Sequence, residues 1–291
     1  MEQNVGNLLK KWDIPEETID RFEKLIINDV KFLQARDEIK YMNWDDIIQK
    51  WNNTFQYRQD QEYASVQEFI TKWPVLEDER AIELINIDFQ FLYPHSPINE
   101  TNFNVKWNLF FNKFLLAKKY EINDEFKENL LSSLNSLHSE DQKIPTQITL
   151  MAHLVPPKGR FNRKGKFSTL EALQSLVIVV ENPGDINIKI KEKQKAAAER
   201  KQSVQPYIII QGSLQDYQYL YIVVDDIKYK FTSAAEAFDT LFKIYHVFNA
   251  RYPSPADHLY LIIQRCVYDV TTKYDNLVPY IADVLALKQM D

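Results

Sequence analysis

Two adjacent carboxylates, Asp225 and Asp226, are the residues whose types and spacing come nearest to a catalytic metal site. They follow an apolar run with strand character, and paired acids at a strand end hold divalent cations in nucleases and polymerases. The competing interpretation is a hairpin turn, where Asp is favoured because it tolerates turn geometry. No third carboxylate or histidine follows at a spacing that would complete a metal site. The sequence therefore favours the turn, and a metal-dependent nuclease-like enzyme is the least supported hypothesis.

The histidines and the single cysteine form no catalytic or metal-binding pattern. HxH, HExxH, CxxC and GxSxG spacings do not occur, and a structural zinc site needs more than one thiolate. Cys266 lies in the apolar segment LYLIIQRCVY, which predicts a small buried side chain with a raised thiol pKa. His246 lies in another apolar segment and is predicted to be a half-buried core residue. We therefore expect no metal, no cofactor and no enzymatic activity.

A basic segment with interleaved aromatic residues is the sharpest local feature of the sequence. Cations and aromatic rings together can bind phosphates and stack bases. The competing interpretation is a solvated loop, so nucleic-acid binding stands as the alternative hypothesis. Residues 158–201 carry 11 basic and 5 acidic side chains, whereas residues 1–100 carry 11 basic and 20 acidic ones. The candidate nucleic-acid-binding residues are Lys158, Arg160, Phe161, Arg163, Lys164 and Lys166.

All five tryptophans lie in the N-terminal part of the chain, between Trp12 and Trp107. They are either core residues of a small helical domain or part of a groove for a partner, because Trp is enriched at interaction hot spots. The acidic charge around them suits a basic partner. The candidate residues for protein interaction are Trp12, Phe22, Trp44 and Trp51.

The elements that would position these residues are mostly helical. Apolar residues recur at helical spacing through most of the segment from Val5 to Leu137, and Ser168 with Glu171 resembles a capping box. Helix and strand are both open for Leu176–Val180. Runs near 206–211, 217–224 and 227–232 predict an antiparallel β-meander, which further helices follow. The fold class expected is α+β and predominantly helical, with a helical N-terminal part. Only five glycines occur, which disfavours glycine-rich nucleotide loops.

The opening of the chain resembles a sterile alpha motif (SAM) domain, a small helical bundle. The residues that carry this resemblance are Leu8-Leu-Lys-Lys-Trp12, Ile19-Asp-Arg-Phe22, Asn28-Asp29 and Phe32-Leu33. A SAM-like module implies self-association or pairing with another such module. We therefore expect a SAM-like module at 1–65 and an α+β domain at 66–291, with a basic loop or linker at 156–202.

The remainder is similar to a group of multi-copy animal proteins that is frequent in arthropods and fish. The segments on which this similarity rests include Trp73-Pro-Val-Leu76, Ile85-Asn-Ile-Asp-Phe89 and Gln205-Pro-Tyr-Ile208. That resemblance implies organisation and assigns no chemistry.

Apolar runs are far shorter than the roughly 20 residues that span a bilayer, and no signal peptide is visible. With one cysteine, the sequence predicts a cytoplasmic or nuclear protein that does not enter membranes. The function expected is that of a non-enzymatic interaction or adaptor protein. It would associate with a protein partner, or with itself, through its N-terminal module.

Overall fold

The computed structural model describes residues 16–39, 41–159, 165–200, 202–276 and 278–289. It confirms an α+β fold that is predominantly helical and contains one small four-stranded sheet. None of the helices in these ranges is both long and apolar enough to cross a membrane. The α-helices are α1 (Glu16–Gln34), α2 (Arg36–Ile39), α3 (Trp44–Asn53), α4 (Phe55–Gln59), α5 (Val66–Lys72), α6 (Ala81–Leu92), α7 (Phe103–Lys118), α8 (Glu125–Ser136), α9 (Glu140–Leu154), α10 (Thr169–Leu176), α11 (Ile186–Glu199), α12 (Ala234–Val247), α13 (Asp257–Cys266) and α14 (Ala282–Leu285).

The chain divides into two compact units, the first up to Asp88 and the second from Phe89 onward. The division falls inside α6, whereas the sequence suggested a boundary between residues 65 and 66. Both α5 and the first turns of α6 belong to the first unit. Short 3₁₀ turns connect several helices, and they occupy Pro74–Glu77, Pro97–Asn99, Lys119–Glu121, Pro183–Asp185, Pro279–Ile281 and Ala286–Gln289.

The first unit is a bundle of short helices around a tryptophan-rich core. Trp51 and Trp73 are fully buried, and their rings meet edge to face at 5.9 Å between centroids. The guanidinium of Arg58 lies 3.6 Å from the Trp51 ring centroid and donates to the Asp88 carboxylate at 2.5 Å. Both charged side chains are fully buried. Removing either partner would leave an unpaired buried charge, so this pair couples α4 to α6.

Helix α1 packs against α3 over its C-terminal half. Asp29 on α1 accepts hydrogen bonds from Lys50 Nζ at 2.8 Å and Asn53 Nδ2 at 3.0 Å. Asn43 caps the start of α3 by accepting from the backbone N–H of Asp45. These contacts fix one half of α1 within the first unit.

The second unit is organised around α9, a helix that is buried from Ile144 to Ala152. Asp141, in its first turn, accepts hydrogen bonds from Ser233 Oγ, Tyr217 Oη and the backbone N–H groups of Ala234 and Ala235. A carboxylate at this position complements the positive end of the α12 dipole. The four donors outweigh the effect of burial and lower the pKa of Asp141. Asp141 thus anchors α12 to α9.

The sheet has the strand order β1-β2-β3-β4, with β1 parallel to β2 and the others antiparallel. The predicted meander is therefore confirmed, and β1 extends it. The capping box at Ser168 and Glu171 is present and starts α10. Leu176 ends that helix and Val177 begins β1, so the ambiguous segment contains both elements. The strands are β1 (Val177–Val180), β2 (Tyr207–Gly212), β3 (Tyr217–Val224) and β4 (Ile227–Phe231).

The predicted basic loop or linker at 156–202 needs correction. Its first part is a loop where the structure describes it, but α10, β1 and α11 occupy most of the remainder. Ile186 and Ile190 are four residues apart on α11 and both pack into a core with Tyr207 and Ile209 of β2. Ile188, between them, is exposed. This buried face holds the charged helix on the sheet, so the helix is part of the domain.

Candidate interaction surfaces

The two aspartates that suggested a metal site form the turn between β3 and β4. Asp225 has a φ of 52°, in the left-handed region that Asp tolerates better than most residues. Burial and the neighbouring carboxylate of Asp226 raise the pKa of Asp225. Within the described part of the chain, no group of three or more His, Cys, Asp or Glu side chains could hold a metal ion. These observations support the turn interpretation.

His246 lies in a hydrogen-bonded row of side chains inside the second unit. Tyr93 Oη donates to His246 Nδ1 at 2.7 Å, and His246 Nε2 donates to Tyr252 Oη at 2.8 Å. Tyr252 in turn donates to Gln264 Oε1, so its oxygen accepts from His246 Nε2, and Nδ1 is the acceptor when the ring is neutral. Burial lowers the pKa of His246 to about 4. The imidazole is therefore a neutral structural link, as the apolar sequence around it suggested.

The surroundings of Cys266 and His258 also point to structural roles. Burial raises the pKa of the Cys266 thiol to about 12, so the thiolate is scarce at neutral pH. His258 is buried, and its Nε2 lies 2.8 Å from the backbone carbonyl of Val155.

A cleft of about 400 Å³ lies at the end of β2 and is bordered by Gln211, Asp216 and Tyr217 among others. None of the sequence-predicted site residues lines it.

Of the predicted basic site, Lys158 and Lys166 lie within the described residues and both are exposed. The backbone N–H of Phe167 donates to the carbonyl of Gly159 at 3.2 Å, which brings together the two backbone segments that carry these lysines. Lys158 Nζ lies 5.0 Å from the Tyr280 ring centroid. The other four predicted residues, Arg160, Phe161, Arg163 and Lys164, lie outside the described residues.

The face of the sheet on which α11 packs carries a second cationic and aromatic group, on β3 and β4, that sequence reasoning missed. Lys230 Nζ of β4 lies 3.5 Å from the ring centroid of Tyr219 on β3. Lys228, two residues earlier on the same face, donates to Asn187 on α11 at 2.9 Å. The alternation of Lys and apolar residues in IKYKF carried the signal for this surface.

The predicted protein-interaction residues occupy different environments. The structure corrects the prediction that Trp51 contacts a partner. Its ring is fully buried beneath Arg58 and cannot reach a partner in this conformation. Trp44 is half-buried, donates to Glu83 Oε2 at 2.7 Å and lies under the Arg80 guanidinium. Phe22 on α1 is 51 % exposed. Trp12 lies outside the described residues.

Phe22 is accompanied by an exposed neighbour that sequence reasoning did not single out. Leu25, three residues later on the same side of α1, is 52 % exposed. Val30 and Leu33 continue this apolar side in the C-terminal half of the helix and are buried. We call Phe22 and Leu25 the open half of α1. The helix thus has a continuous apolar side of which only one half is covered.

A second exposed apolar surface runs along α7. Val105, Leu109 and Leu116 are 44 %, 56 % and 70 % exposed. With the exposed Asn112 they follow a 4-3-4 spacing that places all four on one side of the helix. We call these four residues the outer stripe. The opposite side of α7 is in the core and contains Phe103, Trp107, Phe110, Phe111 and Phe114.

Comparison with family models, with characterised proteins and with solved structures yields no match to this chain.

Proposed function

We propose that this protein is a non-catalytic interaction protein that self-associates through the open half of α1. The observation that supports it most is the interrupted burial of that helix side. A face that continues from a core but remains uncovered exposes apolar area that association would remove from water, at about 25 cal/mol per Å². The resemblance of this region to a SAM domain suggested the same activity.

Charge gives this proposal a distinctive salt dependence. The chain up to Asp88 has 19 acidic and 11 basic residues, a net charge of −8. Two copies of this unit repel each other, and salt screens that repulsion over about 10 Å at 0.1 M. We therefore expect self-association to strengthen as the salt concentration rises, whereas binding to an anionic polymer weakens.

The test is sedimentation velocity on the full chain over a concentration series, after nuclease treatment. Phe22→Asp with Leu25→Asp should reduce the average mass to that of the monomer. Lys24→Gln with Lys31→Gln, at exposed positions on the opposite side of the same helix, makes the same change of net charge and should leave association unchanged. A wild-type chain that stays monomeric at all concentrations and salt levels would refute self-association. A fall in melting temperature without a change in mass would show that the two residues belong to the core.

Nucleic-acid binding remains a second candidate, favoured by the two exposed lysines, Lys158 and Lys166, on backbone segments that a hydrogen bond joins. The test is fluorescence anisotropy with a labelled single-stranded RNA across a salt series. Lys158→Gln with Lys166→Gln should weaken binding and lower the slope of log affinity against log salt by about 1.4, because each phosphate contact to a single strand contributes about 0.7. Lys24→Gln with Lys31→Gln, two exposed lysines of α1, is the matched control. Equal losses from both double variants would contradict a dedicated site.

A further inference from the structure

The outer stripe of α7 has the geometry of a helix-docking surface. Its 4-3-4 spacing is that of one coiled-coil seam, in which apolar side chains of one helix fit between those of another. The other side of α7 is already packed in the core, and Trp107 Nε1 there donates to Gln147 Oε1 of α9 at 2.6 Å. The helix is therefore held firmly while its outer stripe is exposed.

Charge specifies the partner. Residues 103–120 contain four lysines and no acidic residue, and one of these lysines, Lys118, is paired with Glu121 and Asp283. Lys106 and Lys113 each follow a member of the outer stripe by one position, so they line one edge of it, and the exposed Lys119 lies near its end. A helix that docks on the stripe places its flanking positions beside these lysines. Acidic residues there are favoured and basic ones are opposed.

We propose that the outer stripe of α7 binds an amphipathic helix with acidic flanks, supplied by a partner protein. A second copy of α7 is disfavoured because its own lysines would face these ones. A lipid surface is also disfavoured, because the stripe is one side chain wide and has Asn112 at its centre. This surface is separate from the open half of α1 and does not depend on self-association.

The test uses two designed 21-residue helical peptides and the full chain. Both peptides have Leu at the seam positions, and the flanking positions are Glu in one and Lys in the other. Repulsion between like flanks keeps each peptide from pairing with itself. Fluorescence anisotropy should show that the Glu peptide binds at least about tenfold more tightly than the Lys peptide.

Two sets of variants make the assignment specific. Leu109→Glu with Leu116→Glu should remove binding of the Glu peptide, and Lys106→Glu with Lys113→Glu should reverse the preference toward the Lys peptide. Lys191→Glu with Lys195→Glu, at exposed positions of α11, is the control and should change neither result. Thermal melts confirm that each variant is folded.

Two results would overturn the proposal. One is equal affinity for the two peptides, or a preference that the α7 charge reversal leaves unchanged. The other is that vesicles containing phosphatidylglycerol bind the chain, lose that binding in the α7 variants, and neither peptide binds. That pattern would assign the stripe to a lipid surface.

Discussion

Helices α1 and α7 both expose large apolar side chains. On α1 these side chains lie on the same side of the helix as its buried residues, whereas on α7 they lie on the opposite side. On α1 the exposed Phe22 and Leu25 continue the side that buries Leu33 farther along. On α7 the exposed Leu109 and Leu116 lie opposite the side that buries Trp107. On α1, a partner could cover the exposed part of a side that is already partly buried in the core. On α7, the exposed side is a surface that the fold presents without needing it for its own packing.

This difference matters because exposure alone does not identify a binding surface. Isolated apolar side chains are common on protein surfaces. A helix with two separate apolar sides, one buried and one exposed, has more apolar area than its own fold requires. The predictions that follow separate the two cases, from the largest expected effect to the smallest.

The largest contrast is expected across α7. Trp107→Ala should lower the free energy of unfolding by about 3–5 kcal/mol, because it removes a buried ring and the hydrogen bond to Gln147. Leu109→Ala, on the opposite side, should change it by less than about 0.5 kcal/mol. Urea unfolding followed by circular dichroism measures both. A loss for Leu109→Ala as large as that of a buried leucine, about 2 kcal/mol or more, would show that the stripe belongs to the core.

Along α1 the contrast lies between its two halves. Leu33→Ala should cost about 2–5 kcal/mol, because the side chain is fully buried. Leu25→Ala, measured at a protein concentration where the chain is monomeric, should cost less than about 0.5 kcal/mol. Similar losses from both substitutions would mean that the apolar side of α1 is covered along its whole length.

The pH dependence of the free energy of unfolding tests the packing of the core beneath α7. Helix α12, which contains His246, packs against α7 there. The pKa of His246 is about 4 in the folded protein and about 6.5 in an unfolded chain. The unfolded state therefore takes up the proton first, and stability is lost as the pH falls from about 6.5 toward 4. The loss should reach about 2–3 kcal/mol.

The measurement is urea unfolding at pH 7 and pH 4.5 for wild type and His246→Gln. Glutamine can keep one donor and one acceptor between the two tyrosines but does not titrate in this range. The free energy of unfolding of the wild type, relative to that of His246→Gln, should fall between pH 7 and pH 4.5 by most of the 2–3 kcal/mol, that is by about 2 kcal/mol. An unchanged difference would contradict the neutral buried imidazole.

The smallest effect is expected at the β3–β4 turn, outside both helices. Asp225→Gly should raise stability by up to about 1 kcal/mol, since glycine adopts a φ of 52° without a steric cost and the carboxylate pair is relieved. Thermal unfolding measures the shift. A marked fall in stability instead would show that the carboxylate has a role in the fold beyond the turn.

Much of the fold could be predicted from local sequence patterns, and helix α9 shows where such patterns fail. The capping box at Ser168 and the meander after Tyr207 depend on adjacent residues, so the sequence contained the full signal. Helix α9 was not predicted, because Pro145 and several polar residues interrupt its apolar pattern. Its hydrogen bonds to α12 through Asp141 are long-range and have no local signature.

The candidate sites were predictable only as residue types. Sequence reasoning selected Phe22 for its resemblance to a family motif, and it remains exposed. It selected Trp51 because tryptophan is common at interfaces, yet Arg58, seven residues later, covers that ring. Whether an aromatic side chain faces the core or a partner depends on what packs over it. The outer stripe of α7 was missed because Phe and Trp between its members gave that helix apolar residues on every side.

The most direct test of self-association through α1 is hydrogen–deuterium exchange of the full chain at two protein concentrations, one below and one above the onset of association. If the open half of α1 is the self-association surface, the amides of residues 21–27 should exchange more slowly at the higher concentration, and those of residues 105–116 should not change. Exchange of residues 21–27 that is independent of concentration, in a sample whose mass increases, would contradict the assignment.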